Sequence, residues 1–182
     1  MPSILLVPVA PIDRGLLKAL VHPIQQAFGI PVSVYEQATI DTTAMFDRGR
    51  GQYNSSVLLA SLLNQVSVNG SKVLGITGVD LFVPVLTFVF GEAQLDGTAA
   101  VISSFRLDES LYGLPANRKL LEERLIKEAL HELGHTFGLI HCHDYHCVMH
   151  SSTSVEEVDV KGTMLCERCT KILGNKRFER RV

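Results

Sequence analysis

Residues 131–141 read His131-Glu132-Leu133-Gly134-His135-Thr136-Phe137-Gly138-Leu139-Ile140-His141. On a helix, His131 and His135 stand one turn apart on the same face, so two imidazoles can meet one ion. Glu132 sits beside the first of them, where its carboxylate reaches a zinc-bound water without ligating the metal. Gly138 permits a sharp left-handed turn, having no Cβ to clash there, and that turn can swing His141 back as a third ligand. Three neutral histidines leave one coordination position open, as a catalytic zinc requires. H-E-x-x-H alone recurs by chance in roughly one chain in fifty at this length, counting three fixed positions. The added glycine and histidine at set spacing lower that figure about four hundredfold.

The motif ends a segment, 117–137, in which Leu120, Leu121, Ile126, Leu130, Leu133 and Phe137 recur at helical spacing, with Gly138 as its stop. Upstream, residues 3–10 read as a buried strand. Pro11-Ile12-Asp13 then opens a helix carrying Leu16, Leu17, Leu20, Val21 and Ile24 as far as Phe28-Gly29, and 31–35 alternates as a second strand. Asp47 to Tyr53 reads as a polar loop, after which Asn54 or Ser55 caps a helix with Val57, Leu58, Leu59, Leu62 and Leu63. The Gly/Arg cluster in that loop lacks the Gly-Lys-Ser/Thr ending of a phosphate loop. Residues 73–77 form a third strand. Two more, 85–93 and 98–107, are joined by a turn at Leu95-Asp96-Gly97. The order β-α-β-α-β-β-β with a long helix following predicts an α/β (α+β) fold with a mixed twisted sheet and an antiparallel edge strand. The stretch Thr87-Phe88-Val89-Phe90 is the expected edge, able to pair with an extended peptide.

A second constellation follows the third histidine. Cys142, Cys147, Cys166 and Cys169 are the only cysteines of the chain, the last two spaced as C-x-x-C. Two close pairs in an otherwise Cys-free chain without a secretory start favour metal over disulfides. Four thiolates supply a closed tetrahedral set that suits a structural zinc and would staple the segment after the glycine turn to a C-terminal helix. A redox C-x-x-C usually opens a helix after a strand, and no βαβ context precedes Cys166. His143 and His146 are further donors in the same row, so the ligand set stays open to them.

The 182 residues suit one domain, and an apolar fraction of 46% is ample for a core. The formal net charge of -2 gives no global field to draw nucleic acid or an anionic membrane. Arg168, Lys171, Lys176, Arg177, Arg180 and Arg181 read as a solvated helix end, with only Phe178 to stack on a base. No apolar run reaches the ~20 residues that span a bilayer. The N-terminal apolar stretch lacks a Lys/Arg-rich start and is interrupted by Pro8. These features predict a cytoplasmic monomer whose structure begins near Ser3, leaving no room for an inhibitory pro-segment.

The combined pattern H-E-x-x-H-x-x-G-x-x-H-C, C-x-M and C-x-x-C, from His131 to Cys169, spans about a fifth of the chain and resembles the archaemetzincin family of zinc peptidases. The resemblance implies a metzincin fold with an upper part, 1–138, carrying sheet and active-site helix. A lower part, 139–182, would carry the third histidine, the methionine turn, the cysteines and a C-terminal helix. It implies two zinc ions per chain, Glu132 as base, a peptide or protein substrate and an aminopeptidase-like activity. Glu92 and Asp96 are then candidates to hold a terminal amine. Met149 would be the methionine beneath the catalytic zinc, with Met164 as its rival. Arg50-Gly51-Gln52-Tyr53 resembles a loop of the family and has no assigned role. One departure stands out: Ser151 occupies the position at which some metzincins carry a tyrosine donor, with His150 and Tyr145 as candidate substitutes. The alternative is a scaffold that binds peptides with little turnover, against which the intact Glu132 argues.

Overall fold

The computed structural model describes residues 3–37, 40–66 and 70–179, with side chains as far as residue 175. In chain order its elements are β1 (Ile4–Pro8), α1 (Arg14–Phe28), β2 (Val32–Val34), β3 (Phe46–Asp47), β4 (Gln52–Asn54), α2 (Ser55–Gln65), β5 (Lys72–Thr77), β6 (Leu81–Phe82), β7 (Gly91–Ala93), β8 (Ala99–Ser103), α3 (Arg118–Thr136), α4 (Val155–Val160) and α5 (Glu167–Glu179). The main sheet runs β2-β1-β5-β8-β7. Every pairing in it is parallel except that of β7, which lies antiparallel on β8 at the edge. The α/β fold with a mixed sheet and an antiparallel edge is therefore as the sequence predicts.

Period-two alternation decides the layers. Ile4, Leu6, Leu74, Ile76, Ala100 and Ile102 pack on one face against α1 and α3. Val7, Val73, Ala99 and Val101 pack on the other against α2. Both faces are covered, so the strands are near-continuously apolar, as parallel strands between helices must be.

Caps fix the helices. Asp13 accepts from the Gly15 amide and so caps α1 rather than lying within it, and Gly29 ends that helix at φ 57°. Asn54, not Ser55, caps α2 through the amides of Ser56 and Val57. Asn117 caps α3 through Leu120. At the far end of α3, Lys72 of β5 donates to the Thr136 carbonyl at 2.7 Å, a cation where unsatisfied carbonyls gather.

Three stretches depart from expectation. Asp47 to Tyr53 is not a loop: β3 and β4 form a hairpin that turns at Gly51 (φ 68°), and β6 adds to β4 in parallel. The 85–93 strand shrinks to β7, preceded by one isolated bridge between Leu81 and Val89. Side chains of the β3–β4 hairpin bond the carbonyls of Pro84, Leu86 and Thr87 instead. Likewise β8 stops at Ser103, whose hydroxyl accepts from the Phe105 amide at 3.0 Å and bends the chain into a 3₁₀ turn.

Among the described residues no helix is long and apolar enough to cross a membrane. Arg180 and Arg181 lie outside those residues, as do the side chains of Lys176, Arg177 and Phe178.

Candidate metal centre

Leu125, Ala129 and Leu133 bury one face of α3 and leave His131 and His135 edge to face near its C-terminal end. The Nδ1 of His131 lies 2.8 Å from the Val148 carbonyl, and that of His135 lies 2.7 Å from the Leu139 carbonyl. A carbonyl only accepts, so each Nδ1 carries the proton and each Nε2 keeps its lone pair. Those two Nε2 atoms are 3.1 Å apart. Gly138 adopts φ 84°, its amide bonds the His135 carbonyl at 2.8 Å, and the turn returns His141 to the pair. The His141 ring centroid lies 5.3 Å from that of His131 and 5.0 Å from that of His135. All three donor atoms fall within 4.8 Å of one another. Two tetrahedral zinc–nitrogen bonds of about 2.0–2.1 Å put their nitrogens about 3.3 Å apart, so the donors fit one ion. Burial first, and then the Lys161 charge, pushes His131 well below the ordinary imidazole range. Burial also lowers His135 and His141. Neutral imidazoles are what a metal needs.

Glu132 lines a cleft of about 410 Å³ whose walls include 86–91, His131, His141, Ser151–Thr153 and Lys161. It is only 7% exposed. Burial, then repulsion from Glu128, raises its carboxyl well above the usual range, and Lys161 opposes that rise. A Cβ on Gly91 would stand 2.7 Å from Glu132 Cγ, so glycine there leaves the carboxylate its room.

The Lys161 side chain is 0% exposed, with Nζ 2.8 Å from Glu128 Oε1 on the cleft wall. Arg124 reaches both Asp159 oxygens at 2.7 Å, anchoring α4 on α3 and thereby setting where Lys161 falls. Sequence reasoning did not single out Lys161, Glu128 or Gly91. Glu128 had a signal, lying one helical turn before Glu132. Lys161 had none, because only the fold brings it there.

Met149 is fully buried, whereas Met164 is 70% exposed. A Cβ on Gly134 would lie 2.4 Å from Met149 Sδ, so the sulphur packs against the helix turn between the two histidines. Gly134→Ala should destabilise the fold by about 1–3 kcal/mol through overpacking, read as a lower Tm and earlier metal release. An unchanged Tm would contradict this packing.

The four cysteine sulphurs also lie within 4.8 Å of one another, and none is in a disulfide. Cys142 and Cys166 Sγ are 3.7 Å apart, against about 3.8 Å for two tetrahedral zinc–sulphur bonds of ~2.3 Å. The Cys166 amide donates to Cys147 Sγ at 3.3 Å. Burial pushes the Cys147 and Cys169 thiols up, while a backbone hydrogen bond from Cys169 pulls Cys166 down. His143 and His146 are exposed and outside the cluster. The Cys142 amide bonds the Met149 carbonyl at 2.9 Å, joining the two constellations.

Other candidates stand apart. The Glu92 carboxylate accepts from the Ser55 hydroxyl at 2.5 Å and from that of Ser56 at 2.8 Å, on the α2 side of the sheet. Neither Glu92 nor Asp96 lines the cleft, and neither do Tyr145 and His150, although Ser151 does. His150 directs Nδ1 at the Cys142 carbonyl, 2.9 Å away.

The family model for peptidase family M54 matches residues 18–175. The chain is 40% identical to the archaemetzincin of Methanocaldococcus jannaschii over 169 residues, 93% of this chain and 91% of that one. The crystal structure of archaemetzincin from Methanopyrus kandleri is similar at TM-score 0.84 and 35% identity, covering 97% of this chain and 96% of that one. The structure from Archaeoglobus fulgidus, complexed with malonate, gives TM-score 0.80 and 34% identity over 93% and 99% of the two chains.

Proposed function

Because this chain belongs to peptidase family M54 and is a zinc metallopeptidase, we propose that His131, His135 and His141 hold its catalytic zinc and that Glu132 is the base that hydrolyses a peptide bond. One observation carries the reading: two carbonyl-locked imidazoles, their Nε2 atoms 3.1 Å apart, stand beside a buried carboxylate facing the cleft. Zinc bound there would supply a Lewis acid that polarises the scissile carbonyl and acidifies a water. The Val148 and Leu139 carbonyls orient their imidazoles. Glu132 takes the proton of the attacking water and passes it to the leaving amine. Its dry surroundings raise its proton affinity, which favours the first transfer. Lys161 balances the second carboxylate, Glu128, on the same wall.

The substrate backbone lies along 87–90 in this reading. Phe88 supports it, since neither its amide nor its carbonyl has a hydrogen-bond partner among the described residues. The walls come from both an upper part, 1–138, and a lower part, 139–182, and the four cysteines hold the lower one together around a second, structural zinc. Metal thiolates and unpaired cysteines suit a reducing cytoplasm. Internal cleavage is better supported than aminopeptidase action, because among the described residues the acidic side chains lining the cleft are Glu132 and the Lys161-paired Glu128.

A peptide library followed by mass spectrometry tests this. Internal cuts should appear, stop with 1,10-phenanthroline and return with zinc. Peptides retained by the zinc-loaded protein without cleavage would make it a binding scaffold instead.

A further inference from the structure

Arg50 and Gln52 belong to the β3–β4 hairpin, outside the cleft walls, yet their side chains end on its rim. Arg50 donates from Nη1 to the Leu86 carbonyl at 2.9 Å and from Nη2 to the Pro84 carbonyl at 3.3 Å, with its guanidinium 4.4 Å over the Phe82 ring. Gln52 Nε2 donates to the Thr87 carbonyl at 3.1 Å and to Asp80 Oδ2 at 3.0 Å. Asp80 is held in turn by Arg106, through two hydrogen bonds of 2.6 Å. The Arg106 guanidinium lies 4.2 Å over the Phe88 ring, which meets Phe90 edge-on at 5.3 Å.

Burial does not fix the 84–87 part of this rim, which is exposed, although Phe88 packs against the core. Val85 is 88% exposed and Leu86 53%, and β7 begins only at Gly91. Side-chain donors therefore take the place of a hydrophobic anchor. They also choose which backbone groups remain: the carbonyls of residues 84, 86 and 87 are captured, and Phe88, on the cleft, is left with both its amide and carbonyl unpaired among the described residues.

We propose that Arg50 and Gln52, backed by the Asp80–Arg106 pair, are positioning residues that hold the 84–88 rim ready to receive an extended peptide backbone at Phe88. The inference rests on the peptidase reading for its substrate class. A rim ordered beforehand loses no conformational freedom on binding, so the brace acts on affinity for extended ligands rather than on the chemical step.

The test compares wild type with Arg50→Ala, Gln52→Ala, their double variant and Arg50→Lys. Three quantities are read in each: amide hydrogen exchange over 84–88, kcat and KM for an extended peptide, and affinity for acetohydroxamate, which reaches only the metal. The double variant should exchange faster at 84–88 and raise KM about tenfold, with kcat within about twofold and acetohydroxamate affinity and zinc content unchanged. Arg50→Lys, able to reach one carbonyl at a time, should fall between. Unchanged exchange, or faster exchange with unchanged KM, overturns the proposal. Should wild type cleave no peptide, the hydrolase reading fails by itself, and a peptidyl hydroxamate compared with acetohydroxamate still decides the brace. Selective loss of the peptidyl compound in the double variant upholds it, and equal loss of both overturns it. Arg50 is exposed, so its single variant carries the test if the double variant does not fold.

Discussion

Glu132→Gln is expected to lower kcat for peptide hydrolysis by about 10²–10⁴-fold, the range that a positioned general base contributes, while leaving the zinc content unchanged. The amide is nearly isosteric with the carboxylate, so it fits the space beside Gly91 in which Glu132 now sits. It removes no imidazole and does not turn His131 or His135, which are oriented by the Val148 and Leu139 carbonyls and not by Glu132. What it loses is the ability to accept a proton. KM should therefore change little, because the lost interaction exists only as the bond to water forms. Elemental analysis beside steady-state kinetics checks both halves. Activity within about tenfold of wild type would show that another group is the base. Zinc lost together with activity would make the carboxylate a ligand rather than a base.

Much of this site was legible because helix periodicity and glycine chemistry are local. His131 and His135 meet because residues four apart share a face, and Gly138 turns because only glycine takes φ 84° without strain. The four cysteines were legible as a set because two close pairs of thiols in an otherwise cysteine-free chain have few other uses. Asp13 and Gly29 bound α1 where polar caps and a left-handed glycine predict. The rim was not legible. Val85 to Ala93 has the β-branched and aromatic content of a strand, but propensity cannot report that Arg50 and Gln52, over thirty residues earlier in the chain, hold its first half as a turn. Gly134 shows the same limit. It occupies a variable position of H-E-x-x-H, and its need for glycine appears only when Met149 arrives from fifteen residues further on. Lys161 is the extreme case: a lysine in a polar stretch reads as surface, and the Arg124–Asp159 contact makes it the buried partner of Glu128.

Cys166→Ser should drop the zinc content from about two to about one per chain and destabilise the protein by several kcal/mol, since structural zinc sites in peptides bind with about 10–16 kcal/mol of apparent free energy, which is also folding free energy. Cys166 lies 3.7 Å from Cys142 and gives its amide to Cys147, so one substitution removes a donor and loosens the order of two others. Without the ion, Cys147 and Cys169 are buried thiols with little to gain from ionising. The damage should then travel along the chain. Cys142 follows His141 directly, and its amide holds the Met149 carbonyl beneath the histidine turn. Hydrolysis should therefore fall although no residue of the cleft has changed, and proteolysis should begin between Cys142 and Cys169. Met164→Ala, on an exposed side chain in the same segment, should leave zinc, Tm and hydrolysis as they are. A Cys166→Ser protein that keeps both ions would mean that the sulphurs are not the second site. One that loses the histidine-bound ion first would mean that the two sites are a single unit and not a catalytic centre with a separate staple.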